Sequence, residues 1–249
     1  MAGSSTRTIV GWVLVVLALV AAVGMLLPGR TTAQEGDQVE KEQVDARKTI
    51  EDRVREFGPA VRERILPRFH RAKVKYPPAR VVLLGLKRER RLEVYAAGEG
   101  EKLRRVMAYP IQGASGQTGP KLREGDCQVP EGVYEVESLN PNSKFHLALR
   151  VSYPNEADRK RAAEEGRSKL GGDIMIHGGK ASTGCLAMGD EVAEELFVLT
   201  AETGRENVKV VLSPVDFRKR KLPRGLDLPP WTGELYGQLR EELRQLPAG

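Results

Sequence analysis

Apolar positions follow three textures along the chain. From Ile9 to Leu27 they run unbroken except for glycine, with Arg7 before and Arg30 after. Nineteen such residues, at about 1.5 Å of rise each, approach the ~30 Å hydrocarbon core of a bilayer. No polar position gives this run a wet face. It predicts a signal anchor or signal peptide over residues 1–30. A signal h-region is typically about 7–15 residues, so the length favours an uncleaved anchor. Thr31-Thr32-Ala33 would serve as a small-residue cleavage site in the secreted alternative. Either way the expected location is periplasmic, held at the inner membrane by the apolar helix or released after cleavage near Ala33.

The second texture is helical. After a polar, turn-rich stretch, Ile50, Val54, Phe57, Val61 and Ile65 recur at spacings of four, three, four and four. That is an amphipathic stripe. Residues 31–75 therefore read as a linker and an amphipathic helical spacer, or a helix packed on the main domain. Gly58-Pro59 is expected to kink or end a first helix, and Pro67 to end a second.

Beyond Tyr76-Pro77-Pro78 the texture becomes strand-like. Short runs rich in Val, Leu, Ile and Tyr predict strands at Arg80–Leu86, Arg91–Ala97, Leu103–Ile111, Gly132–Glu137, Phe145–Ser152, Gly172–Ile176 and Asn207–Ser213. Helices are expected over Asn155–Gly166 and Asp190–Thr203, the latter with Asp190 as N-cap and Gly204 as its stop. The fold class is mainly β with flanking helices (α+β), in a domain covering 79–215. Residues 216–249 add a basic loop, Arg218-Lys219-Arg220-Lys221, and a helix carrying Leu235, Leu239, Leu243 and Leu246 on one face. The leucines are expected to dock on the domain.

Composition narrows the chemistry. Of 249 residues, 40% are hydrophobic and 30% charged, so a packed core is expected. Two cysteines and three histidines exclude a disulfide framework and a multi-zinc array. No metal constellation is visible, and no cofactor is called for. The net charge of +6 suggests an anionic partner. An exported location and 5% aromatics disfavour nucleic acid.

The segment from Asp173 to Asp190 holds the candidate chemistry. His177 closes a strand, a loop of small residues follows, and Cys185 lies eight positions on, just before a helix. An imidazole beside a thiol can act as base and as stabilising cation. Gly184 lets backbone N–H groups approach a developing oxyanion. A small buried apolar cysteine and a structural histidine fit the spacing equally well.

The segment resembles the signature of the L,D-transpeptidase (YkuD-type) catalytic domain. Ile176-His177-Gly178 matches its first part and Ser182-Thr183-Gly184-Cys185 its second. Thr183 stands where the usual signature has a second histidine, and the intervening loop is short. Both departures are typical of the YafK-like murein L,D-transpeptidase and lipoprotein-releasing amidase branch. Gly119-Pro120-Lys121, Arg123-Glu124-Gly125-Asp126, Val129-Pro130-Glu131-Gly132-Val133-Tyr134 and Tyr153-Pro154-Asn155 read like landmarks of that branch.

The resemblance implies a β-sandwich catalytic domain and an exported cysteine acyl-transfer enzyme of peptidoglycan remodelling. Cys185 would be the nucleophile and His177 its general base, oriented by a backbone carbonyl. The N–H groups of Thr183, Gly184 and Cys185 would form the oxyanion hole. His146, Ser182, Tyr109, Lys121 and Arg123 are candidates for contacting substrate. The partners implied are peptidoglycan stem peptides, the membrane through the N-terminal helix, and in the amidase variant a peptidoglycan-anchored lipoprotein. Two alternatives stand beside the transferase. One is a hydrolase of the same fold releasing lipoprotein or D-Ala; the other is a noncatalytic, membrane-tethered wall-binding module.

Overall fold

The computed structural model describes residues 47–248. The apolar run of residues 9–27 and the polar stretch after it lie outside the described residues. Among the described residues, no helix is long and apolar enough to cross a membrane.

Helix α1 (Ile50–Ala72) opens on a capping box. Thr49 Oγ1 accepts from the Asp52 N–H at 3.1 Å, and the Thr49 N–H donates back to the Asp52 carboxylate at 3.0 Å. The expected break at Pro59 and stop at Pro67 do not occur: one helix runs through both. Each proline deprives the carbonyl four residues earlier of its N–H donor. Those positions, Arg55 and Glu63, are exposed, as are both prolines, so water can satisfy the carbonyls. The buried ridge Val61, Ile65 and Phe69 holds the helix on the domain. Phe69→Ala is expected to cost about 3–5 kcal/mol of unfolding free energy, read by urea denaturation. An undisturbed midpoint would show that the helix is not part of the folding unit.

The strands are β1 (Arg80–Leu86), β2 (Arg91–Ala97), β3 (Arg104–Pro110), β4 (Gly132–Ser143), β5 (His146–Val151), β6 (Met175–His177), β7 (Leu186–Ala187) and β8 (Val208–Ser213). They join in one sheet, in the order β3-β2-β1-β8-β4-β5-β6-β7. The corner is β4, longer than expected from sequence. Its residues Gly132–Glu135 pair with β8, and Val136–Ser143 pair with β5 through two irregularities. One strand thus serves both halves, and the sheet curls there. Helix α2 (Glu156–Glu164) is capped by an Asn155/Asp158 box.

Helix α3 (Asp190–Thr203) has Gly189 rather than Asp190 at its N-cap position. Asp190 Oδ1 instead accepts from the Gly179 N–H at 2.7 Å. Alternation along β1 sends Val81 and Leu83 toward a core shared with α1 and α3. Val82, Leu84 and Leu86 face the other way, against Leu235, Leu239, Leu243 and Leu246 of α4 (Thr232–Arg244) and its end. The basic run is not wholly solvated. Arg218 is buried and paired with Glu93 and Asp216 at 2.8 and 2.7 Å.

Candidate active site

The site lies on the β5–β6–β7 side of the curl. β6 begins later than expected because Asp173 takes a left-handed conformation (φ 53°), and it ends on His177. Strand β7, too short to be legible as a strand, runs parallel to it, with Ile176 opposite Leu186 and His177 opposite Ala187. Cys185 directly precedes β7, level with Met175. Cys185 thus stands two residues before Ala187, the partner of His177 across the ladder.

The loop between them depends on two glycines. A Cβ on Gly178 would lie 2.5 Å from Asp190 Oδ1 and 2.6 Å from the Phe145 carbonyl oxygen. Gly184 adopts φ 88° against the Gln128 carbonyl.

His177 is 2% exposed. Its Nδ1 lies 2.6 Å from the Gly178 carbonyl oxygen. A carbonyl only accepts, so Nδ1 carries the proton and Nε2 keeps its lone pair. Burial pulls the imidazole pKa below its ordinary value, opposed by the Gly178 carbonyl. The Phe145 ring stacks on it at 4.6 Å.

The Cys185 thiol is half-buried. It accepts from the Met175 N–H at 3.4 Å and lies 3.5 Å from the Asp173 carbonyl oxygen. Burial pushes its pKa up. The Met175 N–H pulls it down, the Asp173 charge adds to the rise, and the Lys121 charge opposes it. Thiol and imidazole are not hydrogen-bonded to each other in this structure. Both shifts favour a neutral pair over a thiolate–imidazolium pair.

This has a measurable consequence. In a Cys127→Ser protein, where Cys185 is the sole thiol, the iodoacetamide rate should climb with pH, with a midpoint above the ordinary thiol range. A higher pKa requires a higher pH for the same thiolate fraction. Asp173→Asn, removing a charge that raises the pKa, should lower the midpoint. A rate already at plateau in mild acid would instead reveal a preformed ion pair.

The expected oxyanion donors are largely engaged. The Gly184 N–H donates to Ser115 Oγ at 2.6 Å, and the Cys185 N–H donates to Ser182 Oγ at 3.1 Å. Only the Thr183 N–H has no protein acceptor among the described residues. Ser182 shapes this turn, and its hydroxyl also donates to the Cys185 carbonyl at 2.6 Å. Ser115 Oγ donates onward to the Cys127 carbonyl at 2.7 Å.

Three substrate-contact candidates are held elsewhere. Tyr109 is buried, and its hydroxyl engages Glu195 and Arg68 at the helix–sheet interface. His146 Nε2 pairs with Glu194 at 3.0 Å, and its ring meets Phe57 edge-on at 5.1 Å. It turns to the helices, and its neighbour Phe145 covers His177 instead. Lys121 Nζ is bound to Asp126 at 2.6 Å and to the Arg123 carbonyl at 2.9 Å, so it acts on the thiol as a fixed buried charge. Arg123 is exposed, with its N–H donated to Asp126 at 3.0 Å. Sequence reading missed Ser115, Phe145 and Asp173. For Phe145 the available signal was its position beside a histidine at a strand start.

The chain is similar in sequence to known proteins. Over 133 residues the chain is 35% identical to "Putative L,D-transpeptidase YafK" of Escherichia coli, a match covering 51% of each chain. The chain thus spans about half the length of the curated relatives it matches. Among solved structures, the helical cell shape determining protein Pgp2 of Campylobacter jejuni is 24% identical with a TM-score of 0.41, covering 54% of this chain and 48% of that one. L,D-transpeptidase 1 of Mycobacterium tuberculosis is 15% identical with a TM-score of 0.31, covering 54% and 62%. Residues 79–212, more than half of the chain, match the family described as YkuD, L,D-transpeptidase catalytic domain. With β1 to β7, His177 and Cys185 inside that span and β8 ending one residue beyond it, the chain belongs to the YkuD L,D-transpeptidase family.

Proposed function

We propose that the chain is an L,D-transpeptidase that acts on peptidoglycan stem peptides through a thioester on Cys185. The observation that carries this reading is the pair itself. A half-buried thiol directly before β7 and an imidazole with Nδ1 pinned at the end of β6 stand at neighbouring positions of these paired strands. The family match and the YafK relatives support it.

The geometry suggests the following chemistry. The thiol exchanges its Met175 N–H for Nε2 of His177, which takes the proton as sulfur attacks the carbonyl at the L-centre of the stem-peptide diamino acid. A C–S bond forms, and the oxyanion gathers N–H donors from Thr183, Gly184 and Cys185. A charged oxygen is a better acceptor than the neutral Ser115 and Ser182 hydroxyls that hold two of these N–H groups at rest. The C–N bond then breaks, and the imidazolium returns its proton to the departing D-amino acid amine. An incoming amine from a second stem resolves the thioester into a cross-link and restores the thiol.

The proposed setting is the periplasm, with residues 1–30 as an inner-membrane anchor. Incubation with purified sacculi followed by muropeptide analysis tests the reading. Dimers linked between diamino acids are expected. Loss of D-Ala without dimers would assign a carboxypeptidase, and loss of lipoprotein remnants an amidase. An unchanged profile would leave only a wall-binding module.

A further inference from the structure

One cavity is joined to the site through the loop that carries Ser115. It has a volume of about 380 Å³. One wall is the β1–β2 turn, with Arg88 and Arg90; the other is the loop 114–118, with Ser115 and Thr118. No carboxylate lines it. Lys87 also lines it, but its Nζ pairs with the buried Glu131 at 2.8 Å. Arg88 is exposed, and its guanidinium has no partner among the described residues. Arg90 reaches only the Gln112 and Ile111 carbonyls, at 3.1 and 3.5 Å, so its charge is unmatched.

The loop adds backbone donors. The N–H groups of Ser115, Gly116 and Thr118 meet no protein acceptor among the described residues. Gly116 holds φ 85°, and a Cβ there would lie 2.0 Å from Gln128 Oε1, so the loop cannot easily relax. That same oxygen accepts from the Gln117 N–H at 2.8 Å. Two guanidinium groups without a carboxylate partner, the Thr118 hydroxyl and free N–H groups around one hollow describe an anion site.

The hollow is joined to the thiol loop. Ser115 accepts from the Gly184 N–H at 2.6 Å, one residue before Cys185. Gly113, two residues before Ser115, exchanges backbone hydrogen bonds at 3.1 and 2.8 Å with Ala187, two residues after Cys185.

We propose that this cavity is a carboxylate subsite, binding a free carboxylate of the peptide that reacts at Cys185, with Arg88 and Arg90 as its cations. The proposal rests on the peptidoglycan reading and sharpens it, because it selects stem peptides whose carboxylates are free over those whose carboxylates are amidated. Arginine suits the task, since its planar fork matches a carboxylate.

Binding is best measured on the Cys185→Ala protein, so that turnover plays no part. The probes are a stem tripeptide ending in its diamino acid, the same peptide with its carboxylates amidated, and inorganic phosphate, each followed by titration calorimetry. Amidation is expected to weaken binding about tenfold. Arg88→Gln and Arg90→Gln should each shrink that difference, the double variant should erase it, and Arg88→Lys should keep part of it. Thermal melts check that the variants fold; the Arg88 side chain is exposed and only its backbone N–H is bonded, to the Pro214 carbonyl, so its variants should melt like the parent.

A preference that survives the double variant overturns the subsite, as does the absence of any preference. Phosphate bound more tightly than the free peptide also overturns it. The outcome separates from the catalytic reading. If the free peptide is preferred but the wild-type protein leaves sacculi unchanged, the subsite stands and the transpeptidase reading falls. If sacculi are processed but Arg88 changes leave binding unaltered, the reverse holds.

Discussion

Cys185→Ala is expected to reduce muropeptide conversion by a factor on the order of 10⁴ or more, to background. The side chain has little structural work to lose. Its sulfur makes two long contacts, to the Met175 N–H at 3.4 Å and the Asp173 carbonyl at 3.5 Å. The variant should therefore melt like the parent, and the loss can be read as chemistry. Cys127→Ser supplies the contrast. That thiol is exposed and lies 3.5 Å from the Gly125 carbonyl, and the bond from Ser115 reaches its backbone, not its sulfur. Activity within about twofold of wild type is expected. Equal activity in Cys185→Ala and wild type would remove Cys185 from the chemistry.

His177→Gln is expected to slow acyl transfer by about 10²–10⁴, the usual contribution of a positioned base. The size alone would not separate a base from a buried structural residue packed against Phe145 at 4.6 Å. The pH profile does. Attack needs Nε2 unprotonated, so wild-type activity falls as pH drops through the imidazole pKa. Burial puts that pKa below the ordinary histidine value, so the acid limb should lie lower than an exposed histidine would give. In His177→Gln that limb should vanish, while slow alkylation of Cys185 persists. An acid limb that stays in place would assign it to another group.

Much of the fold was legible because β propensity and turn residues coincide in this chain. Strands β1 and β2 and helix α3 fall where their patterns put them. The errors have local causes. Pro59 and Pro67 signalled breaks, but their freed carbonyl partners face water, and the Val61–Ile65–Phe69 ridge keeps the helix whole. Strand β7 has two residues, too few for any alternation to show.

At the site, a strand end followed by a small-residue loop fitted a structural pair as well as a dyad, and the family resemblance singled out His177 and Cys185. Their relation could not be read in the same way, because it depends on the β6–β7 register. Ser115 lies 69 positions from the N–H it holds, so no local pattern could connect them. Tyr109 looked like a substrate contact because its partners, Arg68 and Glu195, come from helices distant in sequence. His146 was chosen over Phe145 for its chemistry, yet Glu194 and Phe57 draw it to the helices and leave the ring of Phe145 over His177.

The central claim is a covalent bond between Cys185 and the stem peptide. It is tested most directly by quenching wild-type protein during turnover of a stem tetrapeptide and measuring its intact mass, with peptide mapping. The predicted result is a mass gain equal to the acyl fragment without its leaving D-amino acid, located on Cys185 and removed by hydroxylamine. Product formation with Cys185 unmodified throughout, or an adduct on Cys127 instead, would contradict it.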